Sequence, residues 1–400
     1  MPTLRNLDQL LKQNLKGKTV HIRVDLNLPI KEGKILDKTR IKRFLPTVSE
    51  LIKKECKISL LSHFGRPNGS IDKKMSLKVL IPDLQKSLRK EVRFSKSCIG
   101  EEPKRILEKI PNKGIVLMEN TRFHRGEEKN FKKFSLELAR YADFFINDAF
   151  SVSHRSHASV TGISEVLPSF AGRSLEKEIA MISKFLNAKS KKRVAIIGGS
   201  KISTKISLIN HLSKKVDVIV IGGAMANTFL LAKGYNIGKS IFEINMVKEA
   251  KKIMRTAKKQ DCEIILPVDV AVANDFKKGK DYKLYNIDKV PNDGLILDIG
   301  KKTIRIIEKN LSNCSDVVWC GPLGLFEYRP FDIGTTSIAR YISNLTNKNI
   351  ITSFAGGGDT IAALRQSKYI NGLTYISTAG GAFLEMLAGK KLPGVEILMR

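Results

Sequence analysis

The sequence is short of every feature that would commit it to a membrane or to an oxidising compartment. No apolar run approaches the ~20 residues that cross a bilayer, and the opening Met1-Pro-Thr-Leu-Arg-Asn-Leu-Asp8 lacks a signal peptide's apolar stretch. A cytoplasmic protein is expected. Cysteine is scarce: Cys56, Cys98, Cys262, Cys314 and Cys320 are odd in number, scattered and without a Cys-x-x-Cys pair. They indicate neither a disulfide framework nor a zinc site, and read as reduced packing residues. Two glycine signatures are missing too. Without G-x-G-x-x-G a dinucleotide-dependent dehydrogenase is disfavoured, and without G-x-x-x-x-G-K-[ST] P-loop enzymes are removed. Acidic residues are outnumbered 39 to 70, which leaves a net charge of +31 and favours polyanionic partners. Yet the lysines fall in ones and twos (Lys53 and Lys54, Lys132 and Lys133, Lys214 and Lys215, Lys277 and Lys278), without a clustered stripe. The excess therefore reads as a solvated basic surface, and nucleic acid is not expected as the primary partner.

What is present is length and alternation. The 400 residues suffice for two or three domains with their own cores, and strands alternate with amphipathic helices, the signature of parallel α/β layers. Four early strands end in tips rich in groups that bind anions: Asp25 and Asn27, His63 and Arg66, Arg122, and Arg155, with Arg40 opening the helix after the first tip. A lone arginine at a strand end is ordinarily a surface residue. Ligands of open parallel sheets, however, bind outside the carboxyl ends of the strands, so four such tips would converge on one side of one domain. The cluster suits a small ligand carrying phosphate and carboxylate, which guanidinium forks pair with bidentately. Asp25 has the opposite sign, and a ligand hydroxyl is its sensible partner.

After a break at 168–173, Ser174 to Leu186 reads as an amphipathic helix, N-capped by Ser174, with Glu176 and Glu178 in its first turn and Lys189, Lys191 and Lys192 at its far end. The interdomain connection is placed here. Beyond it the tips are small: Gly198 and Gly199, Gly222 and Gly223, Gly356 to Gly358, and Ala379 to Gly381. Backbone can approach a ligand closely there. Lys201 and Lys205, four apart at an expected helix start, share a face and sit at the positive dipole end, so an anion between them is expected. In Ile350 to Thr360 a buried strand turns through glycines into a helix opened by Asp359 and Thr360, which fits either a magnesium nucleotide or an ordinary turn with a capping Asp.

Taken together, Arg23-Val-Asp-Leu-Asn-Leu-Pro29, Ser62-His-Phe-Gly-Arg-Pro67, Glu119-Asn-Thr-Arg-Phe123, Asn147-Asp-Ala-Phe150, His154-Arg-Ser-His157, Gly198 to Lys205, Trp319 to Glu327, Gly356 to Thr360 and Leu392-Pro-Gly-Val395 give the chain its resemblance to the phosphoglycerate kinase family. The resemblance covers nearly the whole length. It implies an α/β fold of two Rossmann-like three-layer α/β/α domains with mainly parallel sheets, separated by a cleft and joined by a connecting helix. Expected boundaries are 1–172 for the phosphoglycerate-binding domain, with the tail 389–400 returning to it, 173–189 for the helix, and 190–388 for the nucleotide-binding domain.

The implied activity is reversible transfer of the acyl phosphate of 1,3-bisphosphoglycerate to ADP, giving 3-phosphoglycerate and ATP with magnesium, by a monomer. By resemblance, phosphoglycerate contacts fall on Asp25, Leu26, Asn27, Arg40, His63, Phe64, Gly65, Arg66, Arg122 and Arg155. Nucleotide contacts fall on Gly199, Lys205, Gly222, Gly223, Gly300, Glu327, Gly357, Gly358, Asp359 and Thr360, with Asp359 the magnesium ligand. Arg40 and Lys201 would flank the transferred phosphoryl group, helped by the helix start at Gly380 and Gly381. The chain departs from the family's usual residues at Cys320 (Asn), Ala379 (Gly), Ser151 (Gly) and Lys301 (Pro).

Overall fold

In the computed structural model the alternating segments close into two units, each built on a parallel sheet, and residues 3–32, 34–188, 192–277 and 281–399 are described. The division by contacts gives Met1–Ala180 with Lys391–Arg400, and Met181–Lys390.

The first unit's six-stranded sheet runs Val92–Ser95, Ile115–Met118, Lys57–Leu61, Thr19–Arg23, Phe144–Asn147, Ser169–Ala171, and each neighbouring pair is parallel. Side chains alternate across it, as the two-residue period of a strand requires. Val20, Ile22, Ile58 and Leu60 pack with Phe44, Val48 and Leu51 of the helix Thr39–Lys53. Leu61, Val116, Met118 and Phe145 pack on the other face with Leu107, Leu138 and Ile163. Strand order reverses between Thr19–Arg23 and Phe144–Asn147, the place where an open sheet leaves a crevice beyond its carboxyl ends.

The second unit repeats this with Glu263–Ile265, Val218–Ile221, Arg193–Ile197, Asp316–Cys320, Thr352–Gly356 and Tyr375–Ser377, again parallel. Its reversal lies between Arg193–Ile197 and Asp316–Cys320. Val194, Ile196, Val220, Trp319, Ile342 and Leu364 belong to its core. A separate antiparallel sheet of Lys283–Asn286, Asp269–Ala273 and Leu295–Ile299 was not foreseen in the sequence.

The helix expected from Ser174 spans Arg173–Asn187, and the contact division falls inside it. Its cap is not Ser174, which lies within the helix. The Asp148 carboxylate, from the tip of Phe144–Asn147, accepts Ser174 N at 2.7 Å and Leu175 N at 3.1 Å and does the capping from a distance. Glu176 stands in the first turn and binds Arg173 at 3.0 Å. Glu178 lies a turn further on, paired with Arg43 at 2.8 Å. Lys189 and Lys191 lie outside the described residues, as does Lys278.

Burial pushes the Asp148 carboxyl up to about 6, against the lowering by its hydrogen bonds. The folded protein therefore holds this proton more tightly than the unfolded chain. Stability from this group is full below about pH 4 and is lost as pH rises through 6, by about 3 kcal/mol in all. Urea unfolding between pH 4 and 6.5 should show this loss, and Asp148→Asn should remove its contribution to the slope.

The last residues close the first unit. Leu4 bridges Met399, Arg5 N donates to Leu398 O at 2.9 Å, and Gly394 N donates to Ser153 O at 2.9 Å. Asn147 Nδ2 donates to Gly394 O at 3.1 Å.

Candidate functional site

At the first unit's reversal the expected residues form one connected set. Arg40 Nη1 lies 3.1 Å from both Asp25 oxygens and donates to Asn27 O at 2.7 Å. Asn27 Oδ1 accepts Gly65 N at 3.0 Å, and Gly65 O accepts Arg122 Nη1 at 2.9 Å. Leu26 N is held by Ser62 Oγ at 3.0 Å, and Phe64 O by Asn120 Nδ2 at 2.7 Å. Arg155 and Arg66 are close enough to act on the charge of Arg122. Arg66 is exposed, Arg155 and Arg40 half-buried, and Arg122 only 3% exposed.

Beneath them runs a buried chain that ends on the expected His63 and whose other members, Glu127, Ser159 and Arg23, the sequence reading did not assign to the site. Glu127 accepts Ser159 Oγ at 2.5 Å, Ser159 Oγ accepts Arg23 Nε at 3.0 Å, and Arg23 Nη2 meets His63 Nδ1 at 2.9 Å. A guanidinium only donates, so His63 Nδ1 accepts and the ring is neutral with its proton on Nε2. The electrostatics agree. Burial, then Arg23, Arg122 and Arg155, hold His63 well below its ordinary value, and burial with Arg122, Arg155 and Arg23 pushes His157 down to about 3. Burial lowers Arg23 only to about 10, so it remains a cation at neutral pH. The charge of this crevice is thus carried by arginines, with His63 and His157 neutral. Arg122 Nε and Nη2 are buried without a hydrogen bond, although Nε lies 3.1 Å from Glu128 Oε1 in poor alignment. Unmet donors on a buried cation are costly, and an anion would satisfy them.

In the second unit five adjacent strand tips carry the expected glycines or stand beside them. Gly223, at φ +67°, packs so closely on its neighbour that a Cβ there would meet Gly199 N and O, both at 2.7 Å. Gly222 N donates to Ile197 O at 3.0 Å and Met225 N to Gly199 O at 3.0 Å, fastening the two tips together. Gly199 at φ +116° and Gly380 at φ +47° need glycine for backbone reasons while facing open space. Gly381 opens the helix Gly381–Leu387. Gly357, at φ +103°, precedes the helix Gly358–Gln366, which starts one residue before Asp359.

Of the two alternatives for this stretch, the capping Asp is not found: Asp359 makes no cap bond and is exposed, as is Gly358. Thr360 is buried, and its hydroxyl accepts Gly321 N at 2.7 Å and donates to Gly356 O at 2.8 Å, so it ties two tips together. Glu327 is exposed in the loop after Cys320, which Gln366 Nε2 anchors at Phe326 O, 2.6 Å away. Gly300 follows the antiparallel strand Leu295–Ile299 and is the N-cap residue of the helix Lys301–Ser312, against the Asp269 carboxylate.

Lys201 and Lys205 do not share a helix face. The helix there is Ile206–Leu212, with Lys205 at its N-cap position and Lys201 exposed in the preceding turn. Ser203 and Thr204 draw the backbone into side-chain bonds instead. Ser203 N and Oγ donate to Glu243 at 3.1 and 2.6 Å, and Thr204 Oγ1 donates to Lys201 O at 2.9 Å. Glu243 was therefore missed as the anchor of the lysine turn.

Of the departures, Cys320 and Ala379 are buried, and burial pushes the Cys320 thiol up to about 12. Lys301 is exposed at a helix start, and Ser151 Oγ donates to Asp25 Oδ2 at 2.5 Å. All five cysteines are buried and unbridged. Among the described residues no group of three or more His, Cys, Asp or Glu is placed to hold a metal, and no helix is long and apolar enough to cross a membrane.

Comparison with known proteins extends these observations. The family model of phosphoglycerate kinase matches residues 9–390. A phosphoglycerate kinase of Chelativorans sp. (strain BNC1) is 46% identical over 400 residues, all of both chains. The solved phosphoglycerate kinase of Coxiella burnetii superposes with a TM-score of 0.89 at 38% identity, over 99% of each chain. That of Pyrococcus horikoshii OT3 gives 0.83 at 29% identity, over 99% of this chain and 98% of its own. With sequence, fold and tip chemistry in agreement along nearly its whole length, the chain belongs to the phosphoglycerate kinase family.

Proposed function

We propose that the chain catalyses reversible phosphoryl transfer from 1,3-bisphosphoglycerate to ADP, giving 3-phosphoglycerate and ATP. The observation that carries the reading is the first unit's crevice: arginines and neutral histidines gathered at a strand reversal, with Arg122 presenting two buried donors that have no hydrogen bond. Family membership supplies the chemistry. In this reading the ligand's phosphate and carboxylate lie among His63, Arg66, Arg122 and Arg155, and its hydroxyl meets Asp25. The nucleotide's phosphates lie along Gly199, Gly222, Gly223, Gly357 and Gly358, with Lys205 beside them and Glu327 on the ribose.

Transfer needs little covalent help from the protein. The attacking oxygen of ADP is already ionised, so no general base is required, and catalysis rests on alignment and on positive charge about the equatorial oxygens. Arg40 and Lys201 supply that charge once the two ligands are brought into line, and exclusion of water protects the acyl phosphate. The helix Arg173–Asn187 is proposed as the connection that permits the alignment.

The residues fit magnesium delivered with its nucleotide. One exposed carboxylate, Asp359, lies at a helix start, and among the described residues no group of three or more His, Cys, Asp or Glu gathers to hold a metal, which suits an ion that keeps phosphate and water ligands. The ion neutralises phosphate charge when bound. Asp359→Asn is expected to raise the KM for magnesium nucleotide about tenfold while leaving 3-phosphoglycerate affinity unchanged, measured by steady-state kinetics and calorimetry. The protein is proposed to act as a cytoplasmic monomer. The decisive assay couples 3-phosphoglycerate, ATP and magnesium to product detection, with and without chelator. Absence of chelator-sensitive turnover would overturn the reading.

A further inference from the structure

Asp25 is gripped from three directions across the reversal of the first sheet. Arg40, from the helix Thr39–Lys53, lies 3.1 Å from both carboxylate oxygens. Asn27 N donates to Oδ1 at 3.1 Å, and Ser151 Oγ, from the turn after Phe144–Asn147, donates to Oδ2 at 2.5 Å. Two of these holds are compromised by the chemistry. The Asn27 bond comes from the same tip and cannot brace it from outside. Arg40 is needed at the transferring phosphoryl group, and a guanidinium engaged there no longer neutralises Asp25 in the same way. Ser151 is neutral, comes from the far side of the reversal, and has no competing task.

We propose that Ser151 is a positioning residue for substrate recognition: its hydroxyl holds the Asp25 carboxylate in the orientation that accepts the ligand's hydroxyl, and keeps it there when Arg40 turns to the phosphoryl group. The inference rests on the functional reading above. A short bond to Oδ2 fixes the carboxylate plane, so that Oδ1, which keeps the Asn27 N–H, offers its remaining lone pair to a ligand donor when Arg40 turns away. Ser151 thus serves discrimination for a 2-hydroxy acid phosphate over the same acid without the hydroxyl, because a hydroxyl contributes fully only to an acceptor already in place.

The test compares two ligands by calorimetry, 3-phosphoglycerate and 3-phosphooxypropanoate, which lacks the 2-hydroxyl. In Ser151→Ala the Kd for 3-phosphoglycerate is expected to rise about tenfold while that for the deoxy analogue changes by less than about twofold. Ser151→Gly, which deletes the same oxygen, should show the same split and guards against an effect peculiar to alanine. Equal weakening of both ligands would mean that Ser151 merely supports the turn and would overturn the proposal. So would unchanged binding of both. Failure of the unsubstituted protein to bind 3-phosphoglycerate at all would instead overturn the functional reading itself.

Discussion

Arg40→Ala is expected to lower kcat about a thousandfold, with a change of only a few-fold in 3-phosphoglycerate affinity, since a cation that meets the phosphoryl group chiefly in the transition state acts on turnover. The structure shows the side chain resting on Asp25 and Asn27, half-buried, so it is held within the crevice and not lost to solvent. Its loss has a second face. Asp25 would keep Ser151 and the Asn27 amide but lose its cation, so part of any binding change would come from a less neutralised carboxylate. Single-turnover kinetics separates the two. If Arg40→Ala weakened 3-phosphoglycerate binding alone and left turnover intact, the transition-state role would be wrong.

Gly223→Val should abolish useful nucleotide binding, raising the Kd for ADP by on the order of a hundredfold, as for a misplacement of about 1 Å in a binding cradle. The reason is mechanical. Its φ of +67° disfavours any side chain, and a Cβ would meet Gly199 N and O at 2.7 Å, both rigid backbone atoms of the next tip. Relief requires the two tips to part, which moves backbone that a phosphate would approach. Calorimetry with ADP checks this, and 3-phosphoglycerate binding to the same variant should stay near its original value, because the first unit folds around its own core. Loss of both ligands together would point to general unfolding instead.

How much of this was legible in the sequence depends on the range over which each feature is decided. Strand tips were legible because a short apolar run and the residues beyond it are local: Thr19–Arg23 delivers Asp25 and Asn27 whatever else the chain does. The family motifs carried the rest of the candidate set. Features decided by distant partners were not legible. The cap of Arg173–Asn187 was read onto Ser174, since a nearby hydroxyl oxygen is the usual acceptor for the first helical N–H groups, but Asp148 reaches them from a strand end. The lysine turn was read as helix because spacing alone cannot reveal that Glu243 binds Ser203 from forty residues away. The tautomer of His63 likewise follows from Arg23, itself oriented by Ser159, a partner 136 residues along the chain.

The terminal stretch of the chain has a consequence for assembly. Residues from Lys391 onward belong to the first unit, and Gly394 holds Asn147 and Ser153, next to His154 and Arg155. During synthesis the ribosome finishes the whole second unit before it releases the piece that completes the first. Until then the arginine-bearing loop lacks its backing, so the glycine-rich tips of the second unit can form before the arginine-lined crevice of the first is fully shaped.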